Sequence, residues 1–172
     1  QQVYRDDPEK LEFLTGEEDI LLGIQSWVRR NADEAARLAA EETDEECRAN
    51  LEEIARINYN IVSEPPKTFH ECCQFLVYFL LQAVMFNGSG AGGAIDAFLK
   101  PYFDADIAAG ILTEEKATYI LASLLVKDNQ YFEIGGCWPD GTDRTSRLSY
   151  LVLEASHWLK IPNAICVRVH KD

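Results

Sequence analysis

At 172 residues the chain has the size of one domain, long enough to bury about two thirds of the surface its unfolded form exposes. It carries 29 acidic against 16 basic residues, a formal net charge of −13. That balance argues against nucleic acid and against anionic membrane as partners, because both demand clustered Lys and Arg.

Three Thr-x-x-Glu boxes punctuate the first half: Thr15 with Glu18, Thr43 with Glu46 and Thr68 with Glu71. In each, a hydroxyl and a carboxylate can satisfy orphan amides at a helix start, so helices are predicted to begin near residues 16, 44 and 69. The first carries Ile20, Leu21, Ile24 and Trp27 and continues through an Ala/Glu/Arg-rich segment to about Glu42. The second sets Cys47, Leu51, Ile54 and Ala55 on one apolar stripe. Pro65 and Pro66 separate it from the third, since a proline disfavours helical geometry in the residue before it.

The third helix, to about Met85, is apolar nearly all round and is expected to be enclosed by other elements. Its longest nearly apolar run, Cys72 to Phe86, reads as too short to span a bilayer. A dense glycine turn, Gly88 to Gly93, precedes Asp96 and a short helix from Ala97 to Phe103. Leu112-Thr113-Glu114-Glu115 opens another helix with the stripe Ala117, Ile120, Leu121 and Leu124. Tyr131 to Ile134 reads as a strand closed by Gly135-Gly136, and a last helix carries Leu148, Leu151, Val152, Ala155 and Leu159. In a final strand Ile165, Val167 and Val169 alternate with Cys166, Arg168 and His170. Two visible strands, the second abutting the last residue, read as a fragment.

Gly88, Gly90 and Gly93 match the spacing G-x-G-x-x-G. That fingerprint binds dinucleotides after a strand, with an acid about 20 residues on. Here a helix precedes it and Asp96 follows directly, so a turn allowing close backbone approach is the better reading. His70, Cys72 and Cys73 are too few for a metal site, and buried cysteines acting as small hydrophobes explain the pair. Arg168 and His170 share a strand face and fit either an anion or an ordinary salt bridge. The five cysteines suggest no disulfide framework and residues 1–7 lack a signal-peptide pattern, which reads as a reducing, cytoplasmic compartment.

Taken in order, the motifs resemble the glycyl radical enzymes, the pyruvate formate-lyase-like family. The first block is Glu53-Ile54-Ala55 with Pro65-Pro66-x-Thr68-Phe69-x-Glu71-x-x-Gln74. The second is Gly92 to Asp96, Leu99-x-Pro101-Tyr102-Phe103, Asp106 and Gly110-x-Leu112-Thr113-x-Glu115. The third is Gly135-Gly136, Asp140-Gly141-x-Asp143, Leu148-Ser149-Tyr150-Leu151 and Val167-Arg168-x-His170.

The resemblance implies a helix-rich α/β fold, part of a ten-stranded α/β barrel of two antiparallel half-barrels with outer helices. On that reading residues 1–172 are one fragment of such a domain: helical over 1–88, a glycine turn over 88–96, and mixed helix and strand over 97–172. It also implies a dimeric, anaerobic enzyme, a lyase, dehydratase or decarboxylase acting on a small organic substrate. No cofactor is expected to be bound; a separate radical S-adenosylmethionine protein installs a backbone glycyl radical, which oxidises a cysteine to the thiyl that abstracts hydrogen.

No cysteine here has Glu two residues later, and the radical-bearing R-V-x-G-Y type motif is missing. The 172 residues alone are therefore expected to be inactive, with no catalytic residue of their own. Candidate substrate-binding residues are Asn87, Ser89, Asp96, Arg168 and His170. Many relatives carry Arg and His where this chain has Ala94 and Gly88, which leaves the substrate open. The reading from another class is a stand-alone acidic helical interaction protein without catalysis.

Overall fold

Asp7-Pro8 starts the first helix, eight residues before the first threonine box. In the computed structural model, which describes residues 7–88, 91–127 and 131–170, helix α1 spans Pro8–Glu41. The Asp7 side chain accepts from the Lys10 amide at 3.3 Å, and Pro8 sits where its missing N–H costs nothing. Thr15 is instead inside α1, its hydroxyl donating to the Leu11 carbonyl at 2.8 Å, a bond open to any helical threonine. Helix α2 (Glu45–Ile61) is likewise capped by Asp44 and not by Thr43: Asp44 Oδ1 accepts from the Cys47 amide at 2.8 Å. A carboxylate there also meets the positive end of the helix dipole.

These two helices form the first of two compact units, Gln1–Pro65 and Pro66–Asp172. The buried stripe of α1 is Val28, Ala32, Ala35 and Ala39, and that of α2 is Ala55, Ile57, Asn58 and Ile61. The stripe expected on α2 is thus rotated: Cys47 is exposed and Ile54 is 40% exposed. The alanines of α1 admit a close approach of α2, and Tyr59 Oη donates to Asp33 Oδ1 at 2.6 Å across the pair.

The second unit contains α3 (Phe69–Asn87), β1 (Ala91–Ala94), α4 (Ile95–Ala108), α5 (Glu114–Lys127), β2 (Tyr131–Gly135), α6 (Arg147–Leu159) and β3 (Ile165–Arg168). The third threonine box does begin a helix: Thr68 Oγ1 accepts from the Glu71 amide, while the Glu71 carboxylate takes the Lys67 amide. Asp106, buried on α4, adds Oδ2 as acceptor for the Phe69 amide at 2.7 Å. One orphan N–H at the start of α3 thereby ties α3 to α4.

Among the described residues three strands are present where two were expected. Ala91–Ala94 of the glycine segment is a strand, β1, and the sheet order is β1-β2-β3 with both pairs parallel. Phe132 and Ile134 of β2 are buried in the core cluster with residues of α3, α4, α5 and α6. On the opposite face Tyr131 is 69% exposed, and Cys166 and Arg168 are also exposed. The sheet is covered on one side among the described residues.

Gly92 is required by packing. A Cβ there would lie 2.1 Å from Cε1 of the Phe132 ring. Gly88 has a different duty: at φ 68° it ends α3, its N–H returning to the Val84 carbonyl at 2.8 Å.

At 19 residues α3 is long and apolar enough by composition to cross a bilayer, so the length argument does not hold for the whole helix. Phe69, Cys72, Cys73, Leu76 and Leu80 of α3 nevertheless pack into the core. Nor is α3 enclosed: Phe75, Phe79, Met85 and Phe86 are exposed, the last two at 76% and 75%.

Two outcomes follow. Gly92→Ala is expected to lower stability by about 1–3 kcal/mol, the usual cost of overpacking, read from urea unfolding midpoints. Burial raises the Cys72 thiol to about 11 and pushes Cys73 well above its ordinary range. Both should therefore resist iodoacetamide at pH 8 until the protein is denatured, as peptide mass spectrometry would show.

Candidate functional site

Ligands of α/β sheets collect outside the carboxyl ends of parallel strands, and here those ends are Ala94, Gly135 and Arg168. One carboxylate ties the end of β1 to the end of β2. Asp96, in the first turn of α4, is 1% exposed. Its Oδ1 accepts from the Ala97 amide at 2.8 Å. Its Oδ2 accepts from the Gly135 amide at 2.8 Å and from Ser149 Oγ at 2.5 Å. Ser149 in turn accepts from the Ser146 amide at 3.0 Å, at the start of α6. The β1–α4 junction, the end of β2 and the start of α6 thus meet on a single buried side chain.

Gly135 and Gly136 both have left-handed backbone, at φ 71° and 92°. A Cβ on Gly135 would stand 2.6 Å from the Arg168 carbonyl, so the turn demands glycine there. While Asp96 takes the Gly135 N–H, the Arg144 guanidinium donates through Nε (2.9 Å) and Nη2 to the Gly135 carbonyl.

Arg144 belongs to a small hairpin after β2. Cys137 and Asp143 form its antiparallel bridge, and the Asp140 carboxylate accepts from the Thr142 amide and hydroxyl in its turn. Asp143 Oδ1 accepts from the Thr145 amide at 2.8 Å. That amide, with a smaller contribution from His170, holds the Asp143 carboxyl below its ordinary value.

Beside this turn lies an open cavity of about 350 Å³, lined by Gly135, Asp143, Thr145, Ser149, Arg168 and His170 with apolar walls from Tyr150, Leu153 and Val167. A larger groove of about 580 Å³ runs between α1 and α2, but Ala36, Ala39, Ala40 and Ala55 form much of its lining.

The candidates read from the sequence fall into three groups. Arg168 and His170 do meet at the cavity. Of the two roles open to Arg168, the ion pair is present: Nη2 donates to Glu133 Oε1 at 3.1 Å, and Nε lies 3.1 Å from Oε2. His170 Nε2 is 3.0 Å from the Gly141 carbonyl and fastens the strand end to the hairpin. Asp96 is buried in the clamp and does not line the cavity. Asn87 closes α3 with its side chain undescribed, and Ser89 lies outside the described residues. Arg144 and Ser149 were not singled out as candidates. Ser149 is 53 residues from Asp96, and no local pattern announces such a pair; Arg144 bonds a backbone carbonyl, that of Gly135, which no side-chain pattern marks.

Residues 2–172 match the pyruvate formate lyase-like family. The chain belongs to that family. Isethionate sulfite-lyase of Nitratidesulfovibrio vulgaris is 30% identical over 174 residues, covering 87% of this chain and 21% of the relative. A glycyl radical enzyme from Archaeoglobus fulgidus superposes with a TM-score of 0.76 at 32% identity, covering 85% of this chain and 22% of that one. A structure from Roseburia inulinivorans, described for 1,2-propanediol dehydration, gives a TM-score of 0.78 at 27% identity, covering 85% and 21%. The relatives and structural neighbours are glycyl radical enzymes, and this pyruvate formate lyase-like chain spans about a fifth of the length of the curated relatives it matches.

The clamp makes a quantitative expectation. Asp96→Ala leaves the Gly135 amide and the Ser149 hydroxyl without their acceptor, at about 1–3 kcal/mol for each buried group. Arg168→Ala removes an exposed ion pair and should cost less than about 1 kcal/mol. Urea unfolding of the two variants side by side checks the ranking.

Proposed function

We propose that residues 1–172 are part of a glycyl radical enzyme, a lyase, dehydratase or decarboxylase that cleaves a small organic substrate after hydrogen abstraction by a thiyl radical. The observation that carries this reading is the family match from residue 2 to residue 172, unbroken across both units. The names of its relatives cover sulfite elimination and dehydration, so the reaction class is kept broad.

In this reading the segment supplies outer helices, early strands of a ten-stranded barrel and part of the substrate-pocket wall. The wall is the carboxyl end of the sheet, with Arg168 and His170 at the cavity and Asp96 holding the wall from behind; Asn87 and Ser89 are further candidates for substrate contact. The catalytic cysteine and the radical glycine belong to other parts of the polypeptide. A radical S-adenosylmethionine activase installs the radical, and the working enzyme is a cytoplasmic homodimer.

The sheet face bearing Tyr131, Cys166 and Arg168, together with exposed Phe75, Phe79, Met85 and Phe86 on α3, supports this reading over a stand-alone interaction protein. Parallel sheets are ordinarily covered on both faces. Electron paramagnetic resonance after anaerobic activation tests the proposal. The complete polypeptide is expected to show a glycyl radical doublet and residues 1–172 alone to remain silent. A complete polypeptide with no signal under an activase competent on a relative would overturn it.

A further inference from the structure

Helix α1 is 34 residues long and its partner α2 only 17. The buried residues of α1, which are Val28, Ala32, Ala35 and Ala39, all lie beyond its midpoint. Residues 8–24 overhang the helix pair by about 25 Å, at about 1.5 Å per residue.

The overhang has an apolar stripe. Phe13, Ile20 and Trp27 form one row at seven-residue spacing, and Leu14, Leu21 and Val28 form a second beside it. Val28 joins that stripe to the buried face of the second half. Phe13, Ile20 and Leu21 are 66%, 54% and 61% exposed. Apolar rows at this interval belong to a helix that packs along another helix, and a continuous exposed stripe marks an interaction site.

Two glycines repeat the interval. Gly16 and Gly23 follow Phe13 and Ile20 by three residues, on the adjoining edge of the stripe. A Cβ at either would meet nothing within 4 Å. Glycine weakens a helix interior relative to alanine, and the described residues of the first unit give neither position a packing reason. A second helix whose backbone approaches closely supplies one.

Charge selects the occupant. The overhang carries Glu9, Glu12, Glu17, Glu18 and Asp19, and its one base, Lys10, pairs with Asp7. By the helical period Glu17 stands within the stripe, and Glu9 and Glu18 at its two edges. A second copy would set acid against acid, and an anionic membrane would repel the face. A helix whose own apolar rows are flanked by Lys or Arg would neutralise these carboxylates as it buries the stripe.

We propose that residues 8–24 dock a basic amphipathic helix of the same complete polypeptide, lying outside residues 1–172. The proposal rests on the reading of the chain as one segment of a longer enzyme, since it spans about a fifth of the length of its curated relatives. A tethered helix gains in effective concentration over any free partner.

Hydrogen exchange and photo-crosslinking of the complete, unactivated polypeptide test it. Amides of residues 13–24 are expected to be protected to within tenfold of those of residues 28–39; weaker protection overturns the proposal. Glu17→Lys combined with Glu18→Lys should lower that protection at least tenfold, and Glu17→Gln with Glu18→Gln should lower it less. Unchanged protection in the lysine variant overturns the basic character of the partner.

A p-benzoylphenylalanine probe in place of Phe13 should crosslink to a helix of the same polypeptide that carries several Lys or Arg beside its apolar rows. The same probe in place of Glu12, on the far side of α1, should not. A product with a second copy, with a separate protein or with a segment lacking that charge overturns the proposal, as does the absence of any product at Phe13. If the probe unfolds the protein, the exchange measurement decides alone. A glycyl radical with residues 13–24 unprotected would sink this inference and leave the enzyme reading standing; a docked basic helix without a radical would do the reverse.

Discussion

The Asp96 carboxylate is the constraint on which the second unit depends. It is 1% exposed and accepts from the Ala97 amide, the Gly135 amide and the Ser149 hydroxyl. A carboxylate so buried is tolerable only when its oxygens are occupied by donors. Here the donors come from α4, β2 and α6, and the need to satisfy one buried side chain fixes where those three elements can stand. Asp106 does the same on a smaller scale by taking the Phe69 amide at the head of α3. Two acids of α4, ten residues apart in sequence, set that helix against the sheet at one end and against α3 at the other.

Glycine serves the site by absence of volume as much as by conformation. Gly92 leaves room for the Phe132 ring, Gly135 for the Arg168 carbonyl, and Gly136 for the two arginine side chains. At the left-handed turn of Gly135 and Gly136, the Gly135 N–H faces Asp96 and the Gly135 carbonyl faces Arg144. An aspartate on one side and an arginine on the other hold the two peptide groups that flank Gly135, beside the cavity.

Much of the fold was legible from local pattern. The starts of α3 and α5, the apolar stripe of α6 and the strands β2 and β3 agree with the periodicity and capping read from residues, because those signals act within one or two helical turns. The errors share a cause. The Thr15 and Thr43 boxes lost to Asp7-Pro8 and Asp44, since capping is a competition among neighbouring residues and a carboxylate has the advantage at a helix N-terminus. The clustered glycines read as a turn because of their backbone freedom; pairing with β2 and the fit of Gly92 against Phe132 make Ala91–Ala94 a strand. The α3 helix looked enclosed because its sequence is apolar all round, yet burial depends on which partners the chain provides.

By itself the sequence determined most of the helices, the strands β2 and β3, the family, and Arg168 and His170 as residues of the sheet's carboxyl end, because composition, period and short motifs are local properties. Only the tertiary structure decided their roles. It buried Asp96 outside the lining of the cavity, paired Arg168 with Glu133, and turned Arg144 onto the Gly135 carbonyl. The physical reason is separation along the chain. Partners 39 and 53 residues from Asp96 are brought together by packing of three elements, and a side chain's chemistry is set by whichever partner arrives.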